Sequence, residues 1–305
     1  MKKLWLMLLP IVAVPFISGC VNGQTGHGQQ LDVVKDPQFG DHWYQGQAEL
    51  SSYDLEQARY GEIHDGTAVL IFVTEDFSKS KHVKLDNPDQ AGSDKVNVLK
   101  LNYTRNFNTG IYPYSMMTSV FTPVDFQRNT LKVTTSSQEW CGHAFTQLDF
   151  DEDDYEGEIY SYFESEGSET EVDIDATWLE DEIWNLIRLN PDFLPEGNIS
   201  IIPATMIQRL RHSDLEPVQA EAKLERAGTL SNYLLEFTDR ERTLKITFSS
   251  DFPYQIQGWE DTYSSGFGNN AQTLTTKATL KKSIMIDYWN KNNPEDEVLR
   301  QQLGL

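Results

Sequence analysis

The sequence predicts a mainly β protein: a large antiparallel sheet, half-barrel-like or a sandwich, with one central helix and a short C-terminal helix. Three observations predict it. Short runs rich in Val, Ile, Thr, Tyr and Phe alternate with polar residues and stop at Gly, Pro, Asn or Asp, which is the period-two pattern of half-buried strands. One segment alone, Thr177 to Asn190, carries clear helical spacing. Hydrophobic residues make up 39% and aromatics 11% of the 305 residues, enough for a packed core and too many for a disordered chain.

The elements follow in chain order. Met1-Lys2-Lys3 is a short positive segment, and Leu4 to Ile17 is an apolar run of 14 residues broken by Pro10 and Pro15. A membrane span needs ~20 apolar residues, so this run reads as the hydrophobic region of a signal peptide. Ile17-Ser18-Gly19-Cys20 follows. The box is similar to the lipobox of bacterial lipoproteins: an aliphatic residue, two small residues and the cysteine that takes the diacylglycerol. The resemblance implies a signal peptide over 1–19, lipidation (acyl chains such as palmitate) at Cys20 and anchoring in a membrane. Val21, not Asp, follows Cys20. In the Gram-negative sorting pattern that resembles an outer-membrane destination facing the periplasm.

Residues 20–40 are rich in Gly and Gln and read as a tether, with a reach of roughly 25 Å. Residues 41–305 read as one β-rich domain. Its predicted strands are Tyr44–Leu55, Thr67–Phe77 after a turn at His64-Asp65-Gly66, Val96–Phe107, and Ile111–Val124, whose Pro113 and Pro123 suit an edge or a bulge. Further strands are predicted at Thr130–Ser136, Ala144–Phe150, Glu158–Glu164, Pro217–Leu224, Tyr233–Thr238, Thr243–Phe248, Gln255–Tyr263 and Thr273–Trp289, with a hairpin turn at Glu166-Gly167. Ile199–His212 is ambiguous and leans to strand. Thr177 and Glu180 form the spacing of a capping box, and Leu179, Ile183, Leu186 and Ile187 form one apolar stripe that ends at Asn190, before Pro191. Pro294 to Leu303 reads as a short helix with Pro in its first turn.

This outline resembles periplasmic lipoproteins of the lipoprotein-carrier type, in which a curved half-barrel sheet covers an apolar cavity. Segments Ala58-Arg59-Tyr60-Gly61-Glu62-Ile63-His64 and Phe107-Asn108-Thr109-Gly110-Ile111-Tyr112-Pro113-Tyr114-Ser115 resemble a group of uncharacterised bacterial lipoproteins, some of which carry the label septum formation inhibitor Maf. The true Maf pyrophosphatases have an N-terminal Ser/Arg-rich phosphate-binding segment. None occurs here, so the resemblance does not bring that activity with it.

Charge narrows the function classes. There are 25 Lys+Arg against 47 Asp+Glu, a formal net charge of −22, and loss of Lys2 and Lys3 with the signal peptide makes it −24. Nucleic-acid affinity and polybasic lipid binding both need clustered cations, so neither is expected. No Lys or Arg lies between Thr134 and Ile187.

The most suggestive local chemistry is Cys141-Gly142-His143. With Cys20 lipidated, Cys141 is the only thiol left, so no intrachain disulfide can form. On a strand, positions i and i+2 share a face, which would set His143 beside a Cys141 thiolate nucleophile. The competing reading is a small buried cysteine packed beside Trp140. Asp149, Asp151 and Asp153 match the first three ligand positions of an EF-hand frame, but Asp154 stands where Gly is needed and Tyr160 where the bidentate Glu belongs. That excludes an EF-hand and leaves a looser Ca²⁺ or Mg²⁺ site beside the reading of a solvated acidic loop. The six histidines show no zinc spacing, so zinc would require convergence in space. P-loop, Rossmann and serine-nucleophile motifs are missing, and no cofactor is implied. The expected protein is a membrane-anchored envelope lipoprotein, a non-enzymatic binding or scaffold module for an apolar or polymeric ligand or a protein partner. The alternative is an envelope enzyme using Cys141 and His143.

Overall fold

A computed structural model describes residues 36–125 and 129–305. The signal peptide, Cys20 and most of the tether lie outside the described residues. The described chain opens with helix α1 (Phe39–Trp43), whose Phe39 and Trp43 are buried in the core. Strands β1 (Ala48–Arg59), β2 (Glu62–Ser78), β3 (Val83–Lys84), β4 (Lys95–Thr109), β5 (Tyr112–Pro123), β6 (Lys132–Glu139), β7 (Gly142–Asp151), β8 (Asp154–Tyr160), β9 (Glu169–Asp175) and β10 (Trp178–Leu179) follow. Helix α2 (Glu180–Leu189), strand β11 (Gly197–Ile202) and helix α3 (Thr205–Arg211) lead into β12 (Val218–Ala227), β13 (Leu230–Phe237), β14 (Arg242–Ser249), β15 (Ile256–Ser265) and β16 (Gln272–Ile286). A 3₁₀ turn at Pro294–Glu297 and helix α4 (Val298–Gln302) end the chain.

All 16 strands belong to one sheet. Pairing is antiparallel except between β10 and β11. Two meanders, β1 to β9 and β11 to β16, are joined where β1 pairs with β16. The sheet is not closed, yet its two terminal strands, β9 and β10, are separated in sequence by Ala176 and Thr177 alone. The three steps from Asp175 to Trp178 span at most ~11 Å of extended chain, so the sheet must curl until its ends come near each other. The expected architecture is therefore observed in its barrel-like form, not as a sandwich.

Helix α2 fills the concave side. Every one of its ten residues is buried, where the sequence predicts a single apolar stripe. Trp184 meets Tyr103 of β4 and Trp259 of β15 at ring-centroid distances of 5.3 and 5.2 Å. The Asn185 amide donates to the carbonyl of Leu99 at 3.0 Å. Strands from both meanders thus pack on one helix, and Ile183, Leu186 and Ile187 join the main core with them.

Several expectations need correction. The first strand starts at Ala48, because the residues before it form α1. The first turn is Tyr60-Gly61, both at positive φ (56° and 81°), not His64–Gly66. Gly66 lies inside β2, where a Cβ would sit 2.5 Å from the Asn106 carbonyl oxygen, so this glycine marks a close strand approach. Strand β5 is interior, between β4 and β6; Pro113 and Pro123 sit near its two ends and leave its middle free to pair. Strand β8 begins earlier than expected, at Asp154, and β9 has no counterpart among the predicted strands. The turn at Glu166-Gly167 does connect β8 to β9. Ile199–His212 divides at Pro203 into strand β11 and helix α3. Helix α2 starts at Glu180; the Glu182 carboxylate accepts the Leu179 N–H at 3.1 Å, while the Thr177 hydroxyl donates to the Ser200 carbonyl at 2.7 Å instead of capping. The helix ends before Asn190 and Pro191, as the sequence predicts. Among the described residues no helix is long and apolar enough to cross a membrane.

Candidate functional site

The two constellations singled out in the sequence do not assemble. Cys141 lies with Trp140 in the turn between β6 and β7, and both are exposed. Its backbone N–H donates to the Tyr112 hydroxyl at 2.7 Å. The rule that i and i+2 share a strand face does not reach a turn residue, and no hydrogen bond joins Cys141 to His143, which is exposed on β7. The buried-cysteine reading fails for the same reason. Of the acidic trio, Asp149 lies opposite Lys132 in the β6–β7 register. Its carboxylate is 3.3 Å from the Lys132 ammonium and 3.4 Å from His82. A resident cation thus already serves Asp149, while Asp151 and Asp153 are exposed. Among the described residues no group of three or more His, Cys, Asp or Glu side chains is placed to hold a metal ion.

Strands β7 to β9 carry the acidic stretch on one exposed face. Asp154 pairs with Asp175, Glu156 with Asp173 and Glu158 with Glu171 directly across the ladder. Like charges in this register destabilise a sheet. Partial desolvation, then Asp173, Asp175 and Asp153, raise the Asp154 carboxyl above its ordinary range.

The dense polar chemistry lies instead on the concave side of the sheet, on α2. Glu180, Asp181 and Glu182 open the helix, and all three are buried. Glu180 takes both terminal nitrogens of Arg242 at 2.6 Å, and Arg242 also donates to Asp261 at 2.7 and 3.0 Å. Asp181 accepts the backbone N–H and the hydroxyl of Thr205, each at 2.9 Å. That hydroxyl continues to Thr135 and Thr118 through two contacts of 2.6 Å. Glu182 accepts the Thr130 hydroxyl at 2.7 Å. At the far end, Arg188 forms a bidentate pair with Glu49, both bonds at 2.6 Å. Its guanidinium also lies over Trp43 and Phe72, 5.0 and 4.7 Å from the ring centroids, and its Nε donates to the Pro253 carbonyl at 2.9 Å.

The electrostatics follow from these partners. Burial pushes the Glu49 carboxyl up, but Arg188 and His42 outweigh it and bring it down to about 2. Burial lowers the proton affinity of Arg242, and Asp261 and Glu180 more than reverse this. Burial, supported by neighbouring Glu180, pushes Asp181 up to about 7 against the two Thr205 donors and Arg242. Carboxylates held this fully by donors are structural anchors. None offers a free base to a substrate.

A cleft of about 670 Å³ opens at the C-terminal end of α2, within the range of small-molecule sites. His42, Glu49, Asp251, Phe252, Gln255 and Ser283 line it. His42 lies 3.3 Å from Glu49 and edge-on to Phe252, with a centroid separation of 5.6 Å. Sequence reasoning missed these residues and those of α2. Glu180-Asp181-Glu182 looks like a solvated first turn, and the donors that hold it are 24 to 62 residues away in the chain, on either side of the helix.

No protein-family model matches the sequence, and no curated protein does. Among solved structures, the crystal structure of a β-barrel-like protein of domain of unknown function DUF1849 from Brucella abortus is similar at a TM-score of 0.47 and 9% identity, over 79% of this chain and 98% of that one.

Two outcomes are expected from the buried charges. Arg188→Ala leaves Glu49 charged in the core and lowers stability by about 3–5 kcal/mol, whereas the double change Arg188→Met with Glu49→Gln recovers most of the loss. Equilibrium urea unfolding measures both, and a single-variant loss below ~1 kcal/mol would mean that the pair is solvated. The second outcome concerns pH. Between the ordinary aspartate range and about 7, the folded state holds the Asp181 proton more tightly than the unfolded state does. Stability from this group is full below that window and falls as pH rises through it. Asp181→Asn removes this component, so the stability of the variant relative to the wild type rises from acidic to neutral pH. A flat difference across that window contradicts the buried aspartate.

Proposed function

We propose that this chain is a lipid-anchored envelope protein that works as a non-enzymatic binding or scaffold module. The lipobox-like Ile17-Ser18-Gly19-Cys20 supports the anchor, and residues 20–40 supply the tether to the body. Two or more acyl chains at Cys20 give stable anchoring, which a mature charge of −24 cannot provide by itself. The membrane reached is the outer membrane, with the body in the periplasm. The observation that carries the binding role is the filled interior. A carrier of apolar ligands needs a vacant concave face, and here α2 occupies it with all ten residues buried. Binding therefore falls to the outer surface and to the cleft at the C-terminal end of the helix, and the ligand is a polymer or a protein partner rather than a lipid held in the lumen. The enzymatic alternative has no support in the geometry, because Cys141 and His143 do not meet.

Cys20→Ser tests the anchor. The wild type is expected in the membrane fraction, labelled by radioactive palmitate and released by detergent, and the variant unlabelled and without its processed form. A wild type that carries no label and leaves the membrane with salt alone overturns the reading. Organic extraction of the folded body is expected to yield no stoichiometric lipid beyond that on Cys20.

A further inference from the structure

Of the nine arginines among the described residues, five have a carboxylate partner, and Arg300, which has none, is exposed. Arg188 has Glu49, Arg242 has Glu180 and Asp261, Arg209 has Glu139 and Glu166, Arg226 has Asp192 and Arg240 has Glu216. Arg59 and Arg211 have no ion pair among the described residues, and they share a pocket. Arg59, at the end of β1, is 7% exposed. One terminal nitrogen donates to the Leu210 carbonyl, the other is 3.4 Å from the Tyr60 hydroxyl, and Nε is buried with no partner. Arg211 ends α3 with its guanidinium 5.9 Å from the Tyr263 ring centroid. Burial and then Arg242 lower its proton affinity, and Asp261, which opposes them, is already held by Arg242. Behind the wall, Arg105 is buried too, bonded to the Tyr103 hydroxyl at 2.7 Å and to Gln57 at 3.2 Å, also without an ion pair among the described residues.

A buried guanidinium with an open donor is costly unless an acceptor completes it. The pocket is lined by both arginines, and it is their terminal N–H groups, not the enclosed Arg59 Nε, that a ligand there would meet. Its volume is about 160 Å³, room for roughly five waters. Its other walls are Ala58, Leu210, Tyr263, Ser264, Ser265, Gly266 and the partly exposed Phe267, with no Asp or Glu among them. Gly266 holds a φ of 97°, and a Cβ there would lie 2.7 Å from the Asn270 carbonyl oxygen, so the β15 end of the wall is fixed by a position that only glycine fits.

We infer that this pocket binds a dianionic phosphoryl group, as inorganic phosphate or a phosphate monoester, between Arg59 and Arg211. Paired guanidinium forks match the oxygens of such a group and neutralise its two charges. The Ser265 hydroxyl, which accepts the Gly61 N–H at 3.3 Å, keeps its own proton to donate to a phosphoryl oxygen. A phosphodiester, as in a glycerophospholipid headgroup, carries one charge and leaves one arginine uncompensated. The site stands independently of the lipid anchor and the scaffold role.

Titration of the mature, detergent-solubilised protein with inorganic phosphate at neutral pH, against chloride of equal ionic strength, tests it. Thermal unfolding is expected to shift upward saturably with phosphate and not with chloride. Arg211→Gln, a change at a half-buried position, is expected to weaken phosphate at least about tenfold while the melting temperature in chloride stays close to wild type. Arg59→Lys keeps a charge but loses the fork and weakens binding as well. Dimethyl phosphate, the diester probe, is expected to bind about tenfold more weakly than phosphate. Phosphate stabilisation no greater than that of chloride, or unchanged affinity in Arg211→Gln, overturns the site. Equal affinity for the diester overturns the dianion assignment and points to a lipid headgroup.

Discussion

The structure depends on placing a charged helix inside a sheet. Helix α2 carries Glu180, Asp181, Glu182, Asn185 and Arg188, and none of these side chains reaches solvent appreciably. An unpaired charge in such a place would cost several kcal/mol, so the surrounding strands must present a matching donor or acceptor at each position. They do so from both meanders: Arg242 and Asp261 from β14 and β15 at one end, and Glu49 from β1 at the other. These contacts fix the helix rotation and its depth, because a one-residue slip would break both bidentate pairs together. Apolar packing of Ile183, Trp184 and Ile187 then fills the space between.

The same constraint shapes the sheet. Strands β1 and β16 zip the two meanders together, and the two-residue step from β9 to β10 draws the free ends toward each other. Curvature of this kind leaves the outer face of β7 to β9 to solvent, where like-charged cross-strand pairs are tolerable only because water screens them. The carboxylates inside the sheet are thus matched by donors, while the acidic face of β7 to β9 is left to water. The pocket at Arg59 and Arg211 departs from that division, since its cations are sheltered without acids.

Much of the fold was legible. Period-two alternation located most strands, and Leu179, Ile183, Leu186 and Ile187 with Asn190-Pro191 located the central helix and its end. The failures have physical causes. Strand β9 places Glu169, Glu171, Asp173 and Asp175 on its outward positions, which hides the inward Val172 and Ile174. Tyr60 adopts a positive φ that its side chain does not advertise, so the sequence points to the nearby His64-Asp65-Gly66 instead. The helix charges looked solvent-facing because their partners come from distant strands. The candidate sites were less legible than the fold. Cys141-Gly142-His143 looked reactive by composition, yet Cys141 lies in the turn and His143 on the strand after it, and Asp149 is served by Lys132 through strand register. That Arg59 and Arg211 lack carboxylates is a property of three-dimensional neighbours, which no local motif records.

A sealed, charge-matched plug separates this architecture from one that opens to admit a ligand to its lumen. Native-state hydrogen exchange of the backbone amides of Glu180–Leu189, followed by mass spectrometry against denaturant concentration, tests that distinction most directly. If α2 is locked by its end pairs, its amides exchange only through global unfolding, together with those of β1, β4 and β15. Exchange of the helix at far lower denaturant than those strands, through a local opening that leaves the sheet protected, would contradict it and restore a carrier with a removable plug.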